Sequence, residues 1–157
     1  LVQTWPRSID DLPPMMDYDI RHGRTYMYSR KMPLYPFGFG LSYTSFDYSN
    51  LRVDKNWVDK SGKISVSLDI TNTGGRDGEE VVQIYVTGND GIQRLKGFTR
   101  VMVTKGETKN VRIEIKGEDL ASWDTDSNSF KTNPGQVELQ VGASSADIRL
   151  KTKVQLK

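Results

Sequence analysis

Two strand-like runs joined by a glycine-rich polar turn lie between Lys63 and Thr87. In the first run, the aliphatic residues Ile64, Val66, Leu68 and Ile70 alternate with polar ones. A period of two places successive side chains on opposite faces of a strand, so this run predicts one buried and one solvent-facing side. The second run, from Val81 to Val86, has apolar residues on both of its faces. This is typical of a strand that is covered on both faces.

The turn between these runs contains Asn72, Gly74, Gly75, Asp77 and Gly78. These residue types tolerate positive φ, and we expect them to close a tight turn. The whole stretch therefore predicts a pair of β-strands, and it contains no catalytic chemistry.

Further strand patterns follow at regular spacing through the rest of the chain. We predict strands at 46–53, 95–103, 108–115, 135–143 and 148–156. In the strand at 95–103, we expect Leu95, Val101 and Val103 on one face and Phe98 and Met102 on the other. Residues 117–134 form a longer connection with one helical turn, in the segment GEDLASW. Short strands separated by turn residues indicate an all-β sandwich or barrel.

Residues 1–44 form an arm of a different character. Five of the six prolines lie there, and prolines block regular secondary structure. Eight of the twelve tyrosines and phenylalanines lie between Tyr26 and Tyr48, whereas disordered segments are poor in aromatic residues. Three interpretations stay open: an extended arm that lies on its own domain, an arm that seals this domain against a neighbour, and a platform that stacks on carbohydrate.

Bulk properties exclude several classes of protein. The net charge is +2, from 22 basic and 20 acidic residues, which is unlike a nucleic-acid-binding domain. The chain has no cysteine, so disulfides and thiolate metal sites are excluded. No apolar run is long enough to span a membrane. Because the first residue is Leu1 and not methionine, we expect a fragment of a longer polypeptide.

No residue pattern predicts catalysis, a metal site or a cofactor. His22 is the single histidine and lies in the irregular arm, so any pair of a nucleophile and a histidine base would have to use this residue. The segment 124–128 resembles the start of a calcium loop but lacks the glycine and glutamate that such a loop requires at positions 6 and 12. Trp57 and Trp123 lie in loop-like polar surroundings, where each can either cap the edge of the sandwich or stack on a sugar ring.

Several segments resemble one enzyme family in the same order along the chain. They are GRTYMYSRKMPLYPFGFGLSYTSF at 23–46, NTGGRDGEEVVQIYV at 72–86, LKGFTRV at 95–101, EDLASWD at 118–124 and VGASSADIRL at 141–150. This set is similar to the C-terminal region of glycoside hydrolase family 3, the β-glucosidase and β-xylosidase family. The resemblance covers nearly the whole chain.

The resemblance implies an immunoglobulin- or fibronectin type III-like β-sandwich at 45–157. Residues 1–44 are then the linker arm and the tail of the preceding α/β sandwich domain. The family's catalytic aspartate and its acid/base residue belong to upstream domains, so no catalytic residue is carried over to this chain. The family is often secreted or periplasmic, although the sequence itself does not indicate a compartment.

Three hypotheses for function follow. The first is a non-catalytic module that packs on the catalytic domains of the same polypeptide, a retaining β-glycosidase, and stabilises them. Its packing residues are expected to be Arg24, Tyr26, Tyr28, Tyr35, Phe37, Phe39 and Tyr43. The second is a carbohydrate-binding module that holds an oligosaccharide on Trp57, Trp123 or the tyrosines of the arm. The third is a free-standing adhesion or scaffolding domain.

Overall fold

The computed structural model describes residues 1–157 and is built mainly from strands. The strands are β1 (Phe46–Val53), β2 (Trp57–Val58), β3 (Lys63–Asn72), β4 (Gly78–Thr87), β5 (Gln93–Val103), β6 (Thr108–Lys116), β7 (Ser122–Asp124), β8 (Ser129–Lys131), β9 (Gly135–Gly142) and β10 (Ile148–Leu156). The arm contains a 3₁₀ turn at Ile9–Asp11 and the short helix α1 at Thr25–Tyr28, and a second 3₁₀ turn lies at Gly117–Leu120. No helix has the length and apolar character needed to cross a membrane.

Two sheets form the body of the molecule, and a small hairpin is attached to it. The three-stranded sheet has the order β1-β3-β6, and the five-stranded sheet has the order β2-β10-β9-β4-β5. All pairings are antiparallel except that of β2 with β10. A cluster of 18 buried apolar residues contributed by both sheets forms the core. The predicted all-β sandwich is therefore confirmed.

The predicted aliphatic faces form this core. Ile64, Val66, Leu68 and Ile70 of β3 are completely buried, as the alternating pattern predicts. Strands β6 and β9 contribute Val111, Ile113, Ile115, Val137, Leu139 and Val141, and β10 contributes Val154 and Leu156. Burial of each such side chain contributes roughly 1.5–3 kcal/mol to folding before the entropy of ordering is subtracted.

A β-bulge in β5 contradicts one predicted face. Tyr85 of β4 pairs with Leu95, and its neighbour Ile84 pairs with Gly97, so that Lys96 is the extra residue. Leu95 therefore points to the outer face with Tyr85, and not inward with Val103 as its spacing predicts. Gly97 takes the inward position, where a Cβ would lie only 2.8 Å from Cγ2 of Ile113.

Strand β4 is covered on both faces along only part of its length. From Gln83 to Val86 every residue is buried, as the apolar run predicts. Val81 is 39% exposed, so the prediction of two covered faces is wrong at that residue. The arm reaches the outer side of β4 at Gln83 and Tyr85, and Val81 lies beyond those contacts.

Two glycines of the 72–78 turn, Gly74 and Gly78, are sites of close approach to the residues before β1. The predicted turn is present between β3 and β4, and none of its five residues needs positive φ. The buried side chain of Asn72 holds the turn, since its amide donates to the carbonyls of Arg76 and Val103 at 2.8 and 2.9 Å. A Cβ on Gly74 would overlap Thr44 and lie 2.6 Å from the backbone nitrogen of Ser45, so the turn packs directly against the end of the arm.

The connection after β6 contains more structure than its sequence indicates. The predicted helical turn is present as the 3₁₀ turn at Gly117–Leu120. It is followed by the antiparallel hairpin β7–β8, which was not predicted because each strand has only three residues. Trp57 also lies in a strand, the two-residue β2, and not in a loop.

Candidate domain-docking surface

The arm is attached to the outer face of the five-stranded sheet by an aromatic cluster. Tyr26 of α1 stacks on Phe37 with ring centroids 4.4 Å apart and meets Tyr85 of β4 edge-on at 5.9 Å. Its hydroxyl oxygen accepts a hydrogen bond of 2.8 Å from the backbone nitrogen of Leu95. This bond uses a backbone N–H of the edge strand β5 at its bulge. Two of the predicted packing residues, Tyr26 and Phe37, therefore pack on their own sandwich.

The buried side chain of Gln83 adds a polar attachment beside this cluster. Its amide nitrogen donates to the carbonyl oxygens of Gly38 and Ala143 at 3.0 and 2.5 Å. Its amide oxygen accepts from the Tyr85 hydroxyl at 2.6 Å. Burial raises the pKa of Tyr85, which keeps the phenol protonated as the donor. Gln83 was not predicted as a site residue, although a lone polar side chain in the apolar run VVQIYV signals a buried hydrogen-bonding group.

Gly38 is the point where the arm comes closest to β4. Its φ of +82° lies in the region that favours glycine. A Cβ there would overlap the amide group of Gln83 and lie 2.9 Å from the Tyr85 hydroxyl. Next to it, the carbonyl of Phe37 accepts a 2.9 Å hydrogen bond from the backbone nitrogen of Ser145. The backbone of the arm is thus held at two points, by β4 and by the loop between β9 and β10.

The other predicted packing residues hold the arm together or face solvent. Arg24 donates to the carbonyl oxygens of Asp17 and Pro14, all within the arm. Tyr35 lies against Phe39 at 5.1 Å, and its backbone forms a bridge to Trp5. Tyr28 is half-buried, whereas Tyr43 is 93% exposed. The predicted set therefore divides into residues that face the sandwich, residues internal to the arm, and residues that face outward.

Exposed apolar side chains are concentrated on the arm and on the neighbouring part of the outer face. None of the residues before Phe46 is fully buried. The large exposed side chains of the arm include Val2, Ile9, Met15, Met16, Tyr18, Met32, Leu41 and Tyr43, and those of β4 and β5 are Val81, Phe98 and Met102. Extended apolar surface of this kind is typical of an interaction site in soluble proteins.

A polar cluster connects the two sheets. The Tyr48 hydroxyl of β1 donates to Oε1 of Glu80 in β4 at 2.7 Å, and the Arg149 guanidinium of β10 lies 4.6 Å from the centre of the Tyr48 ring. Burial raises the pKa of Glu80, and burial with the neighbouring carboxylate raises the pKa of Tyr48. A carboxyl group with a raised pKa is a candidate catalytic acid. Here the carboxyl group bonds to Tyr48, and the cluster as a whole joins three strands, which favours a structural role.

The two tryptophans proposed for sugar stacking differ in their surroundings. The ammonium group of Lys157 lies 4.2 Å from the centre of the Trp57 ring and covers one of its faces. Trp123 is 51% exposed and pairs across the hairpin with Phe130, with ring centroids 5.1 Å apart and planes at 77°. The two rings thus form an exposed aromatic pair at the hairpin, while Trp57 is engaged in a cation–π contact.

The turn of this hairpin is organised by Asp124. Its carboxylate accepts from the backbone and hydroxyl of Ser127 and from the Lys131 ammonium, and these bonds lower the pKa of Asp124 to about 2. The segment that resembles a calcium loop is therefore held by hydrogen bonds within the hairpin. His22 lies on the exposed surface of the arm, with Nδ1 2.8 Å from Oδ2 of Asp17.

The sequence and the fold of this chain are similar to those of part of several known proteins. The family described as "Fibronectin type III-like domain" matches residues 80–145. A xylan 1,4-β-xylosidase from Xylanibacter ruminicola is 35% identical over 152 residues, which are 94% of this chain and 17% of the relative. The structure of β-D-glucoside glucohydrolase from Trichoderma reesei covers the whole chain at 30% identity with a TM-score of 0.87, and the match spans 26% of that protein.

The chain carries the fibronectin type III-like domain of the family 3 glycoside hydrolases. A third comparison agrees, since β-glucosidase 3B from Thermotoga neapolitana is 34% identical over 98% of the chain, with a TM-score of 0.84. The chain spans about a fifth of the length of the curated relatives that it matches. The predicted fibronectin type III-like fold is therefore confirmed, and the match to a small part of much longer β-glycosidases agrees with an accessory module.

Proposed function

We propose that this chain is the part of a longer β-glycosidase polypeptide that packs on the catalytic domains and stabilises them. The exposed apolar surface of the arm and of β4–β5 supports this most directly, because it faces solvent when the chain is alone. The matched relatives are β-xylosidases and β-glucosidases of much greater length, which supports hydrolysis of a β-glucoside or β-xyloside by the whole polypeptide.

We further propose a division of the chain at residue 45. Residues 1–44 are the linker arm and the tail of the preceding domain, and residues 45–157 are the sandwich. The arm makes two kinds of contact: Tyr26 and Phe37 on the sandwich, and a set of exposed side chains that includes Tyr43 and Leu41. This supports an arm that lies on its own domain and also seals it against a neighbour. An arm that lies on its own domain and an arm that seals this domain against a neighbour are therefore compatible interpretations.

Removal of the sandwich from the longer polypeptide tests the proposal. We expect deletion of residues 45–157 to lower the melting temperature of the remaining catalytic portion by several degrees. Adding the separate chain 1–157 in trans should restore part of that loss by mass action. The isolated chain should not turn over an aryl β-glucoside or β-xyloside above a blank without protein. An unchanged melting temperature after the deletion, or turnover by the chain alone, would contradict the proposal.

A second candidate function is contact with an oligosaccharide at Trp123. The exposed pair of Trp123 and Phe130 favours this site over Trp57, whose ring is covered by Lys157. Titration with cello- and xylo-oligosaccharides should change the tryptophan fluorescence of the wild-type chain and of Trp57→Phe, but not of Trp123→Ala. A flat response of the wild-type chain would remove this candidate.

A further inference from the structure

An open groove lies between the end of the arm and the outer edge of β4. Its volume is about 1020 Å³. Phe39 and Leu41 of the arm form one wall, the beginning of β1 forms another, and Val81 and Phe98 form the apolar floor. Leu41 is 91% exposed and Phe98 is 66% exposed, so both retain most of their surface for a further contact.

One edge of β4 is unpaired along this groove. Strand β9 pairs with β4 only from Gln83 to Thr87, whereas β5 pairs with it from Gly78 onward. Residues 78–82 therefore have a strand on one side only. Backbone groups at such an edge can hydrogen-bond to a segment of polypeptide that lies beside them.

The groove is also acidic. Four carboxylates line it, those of Asp47, Glu79, Glu80 and Asp147, together with the guanidinium of Arg149 and the ammonium of Leu1, which donates to the Phe39 carbonyl. Three of these carboxylates are engaged: Asp147 with Arg149, Glu79 with Arg100, and Glu80 with the Tyr48 hydroxyl. Asp47 forms no ion pair or side-chain hydrogen bond, and it is exposed at the start of β1. The groove thus combines an apolar floor with one free negative charge at its rim.

We infer that this groove receives an apolar segment from the rest of the parent polypeptide, and that a lysine or arginine of this segment pairs with Asp47. The inference rests on the proposed function and names the place and chemistry of the contact. A second copy of this chain is a poorer occupant. In a two-fold symmetric contact, the same patch would face itself and bring the two acidic rims together.

Substitutions in the groove test this inference in the longer polypeptide. We expect Phe98→Ser and Asp47→Lys each to lower its melting temperature by several degrees, and Asp47→Asn to lower it less. The same substitutions should leave the melting temperature of the isolated chain within about 2 °C, because both side chains are exposed there. Phe130→Ser is the matched control, since Phe130 is 62% exposed but lies on the hairpin outside the groove.

The outcomes distinguish failure of the groove inference from failure of the proposed docking. If deletion of 45–157 destabilises the polypeptide but Phe98→Ser and Asp47→Lys behave like Phe130→Ser, docking stands and the groove inference is overturned. Hydrogen exchange provides a measurement without mutation, and the amides of residues 78–82 should exchange more slowly in the longer polypeptide than in the isolated chain. A concentration-dependent dimer of the isolated chain that Phe98→Ser abolishes would assign the groove to a second copy and overturn the inference.

Discussion

Gln83 of β4 links the arm to the sandwich through its buried amide group. Its amide meets two carbonyl oxygens and one hydroxyl inside the protein, so none of its polar atoms is left for water. Replacement by methionine preserves the length of the side chain but leaves the carbonyls of Gly38 and Ala143 without this donor. Buried polar groups that lose a partner cost about 1–3 kcal/mol each.

We therefore predict that Gln83→Met lowers the free energy of unfolding by about 2–4 kcal/mol, measured by denaturant titration of the chain 1–157. The control is Gln136→Met, at an exposed glutamine of β9, which should stay within about 0.5 kcal/mol of the wild type. Equal effects of the two substitutions would show that the buried hydrogen bonds do not hold the arm.

Glu80 predicts a pH dependence with a defined sign. Burial raises its folded pKa above the reference value of 4.5, so the folded chain binds its proton more tightly than the unfolded chain does. The stability that protonated Glu80 contributes is fully present below pH 4.5 and is lost as the pH rises through the folded pKa. Glu80→Gln does not titrate and retains an acceptor for the Tyr48 hydroxyl.

We predict that the free energy of unfolding of Glu80→Gln relative to wild type increases as the pH rises from 4.5 and then becomes constant. The change should be below about 1 kcal/mol, because Glu80 is partly exposed and solvent screens it. Denaturant titrations from pH 4 to 8 measure it. A relative stability that falls over this interval would contradict the assigned environment of Glu80.

At the scale of elements, the two parts of the arm have different roles. Residues 26–38 contact the sandwich through Tyr26, Phe37 and Gly38. Residues 1–24 contact mainly the arm itself, as in the bridge between Trp5 and Tyr35. The later part therefore covers Tyr85 and Leu95, and the earlier part does not.

We predict that removal of residues 1–24 lowers the melting temperature of the chain only slightly, whereas removal of residues 1–44 lowers it by several degrees and reduces solubility. The longer truncation uncovers the apolar side chains of Tyr85 and Leu95, and newly exposed apolar surface favours association. Differential scanning calorimetry and light scattering of the two truncations provide the measurement. If the longer truncation melts like the intact chain and stays monodisperse, the arm does not stabilise the sandwich.

The strands could be predicted from the sequence where packing follows a simple period. The alternation in β3, β6 and β9 identifies the core because each of these strands has one face toward the opposite sheet. The bulge at Lys96 could not be predicted from the sequence. One extra residue changes the side of the sheet to which Leu95 points, and the apolar pattern of the strand stays the same. The hairpin β7–β8 is stabilised by one aromatic pair and an Asp124-centred turn, which leaves little periodic signal in the sequence.

The candidate site could be predicted only as a region. The density of aromatic residues indicated that the arm packs against something, and the family resemblance indicated the neighbour. Which face each ring takes depends on tertiary contacts: Tyr26 faces Tyr85, and Tyr43 faces solvent. Phe98 and Asp47 carried no signal of their own, because the groove arises where the arm, β1 and the free edge of β4 come together.

At the scale of the whole molecule, the apolar side chains are distributed unevenly between a buried core and one exposed surface. The core between the sheets is completely buried, while the arm and the adjoining strands keep large apolar side chains in solvent. A module that functions by packing on a larger partner needs this asymmetry. The matched relatives are about five times as long as this chain, which supports the proposed docking.

Hydrogen–deuterium exchange of the same residues in the isolated chain and in the longer polypeptide tests this account most directly. We predict slower exchange in the longer polypeptide along the arm and at 78–82 and 98–102, with no change on the β7–β8 hairpin. Identical exchange of the whole chain in both contexts would show that no neighbouring domain packs on this surface, and would contradict the account.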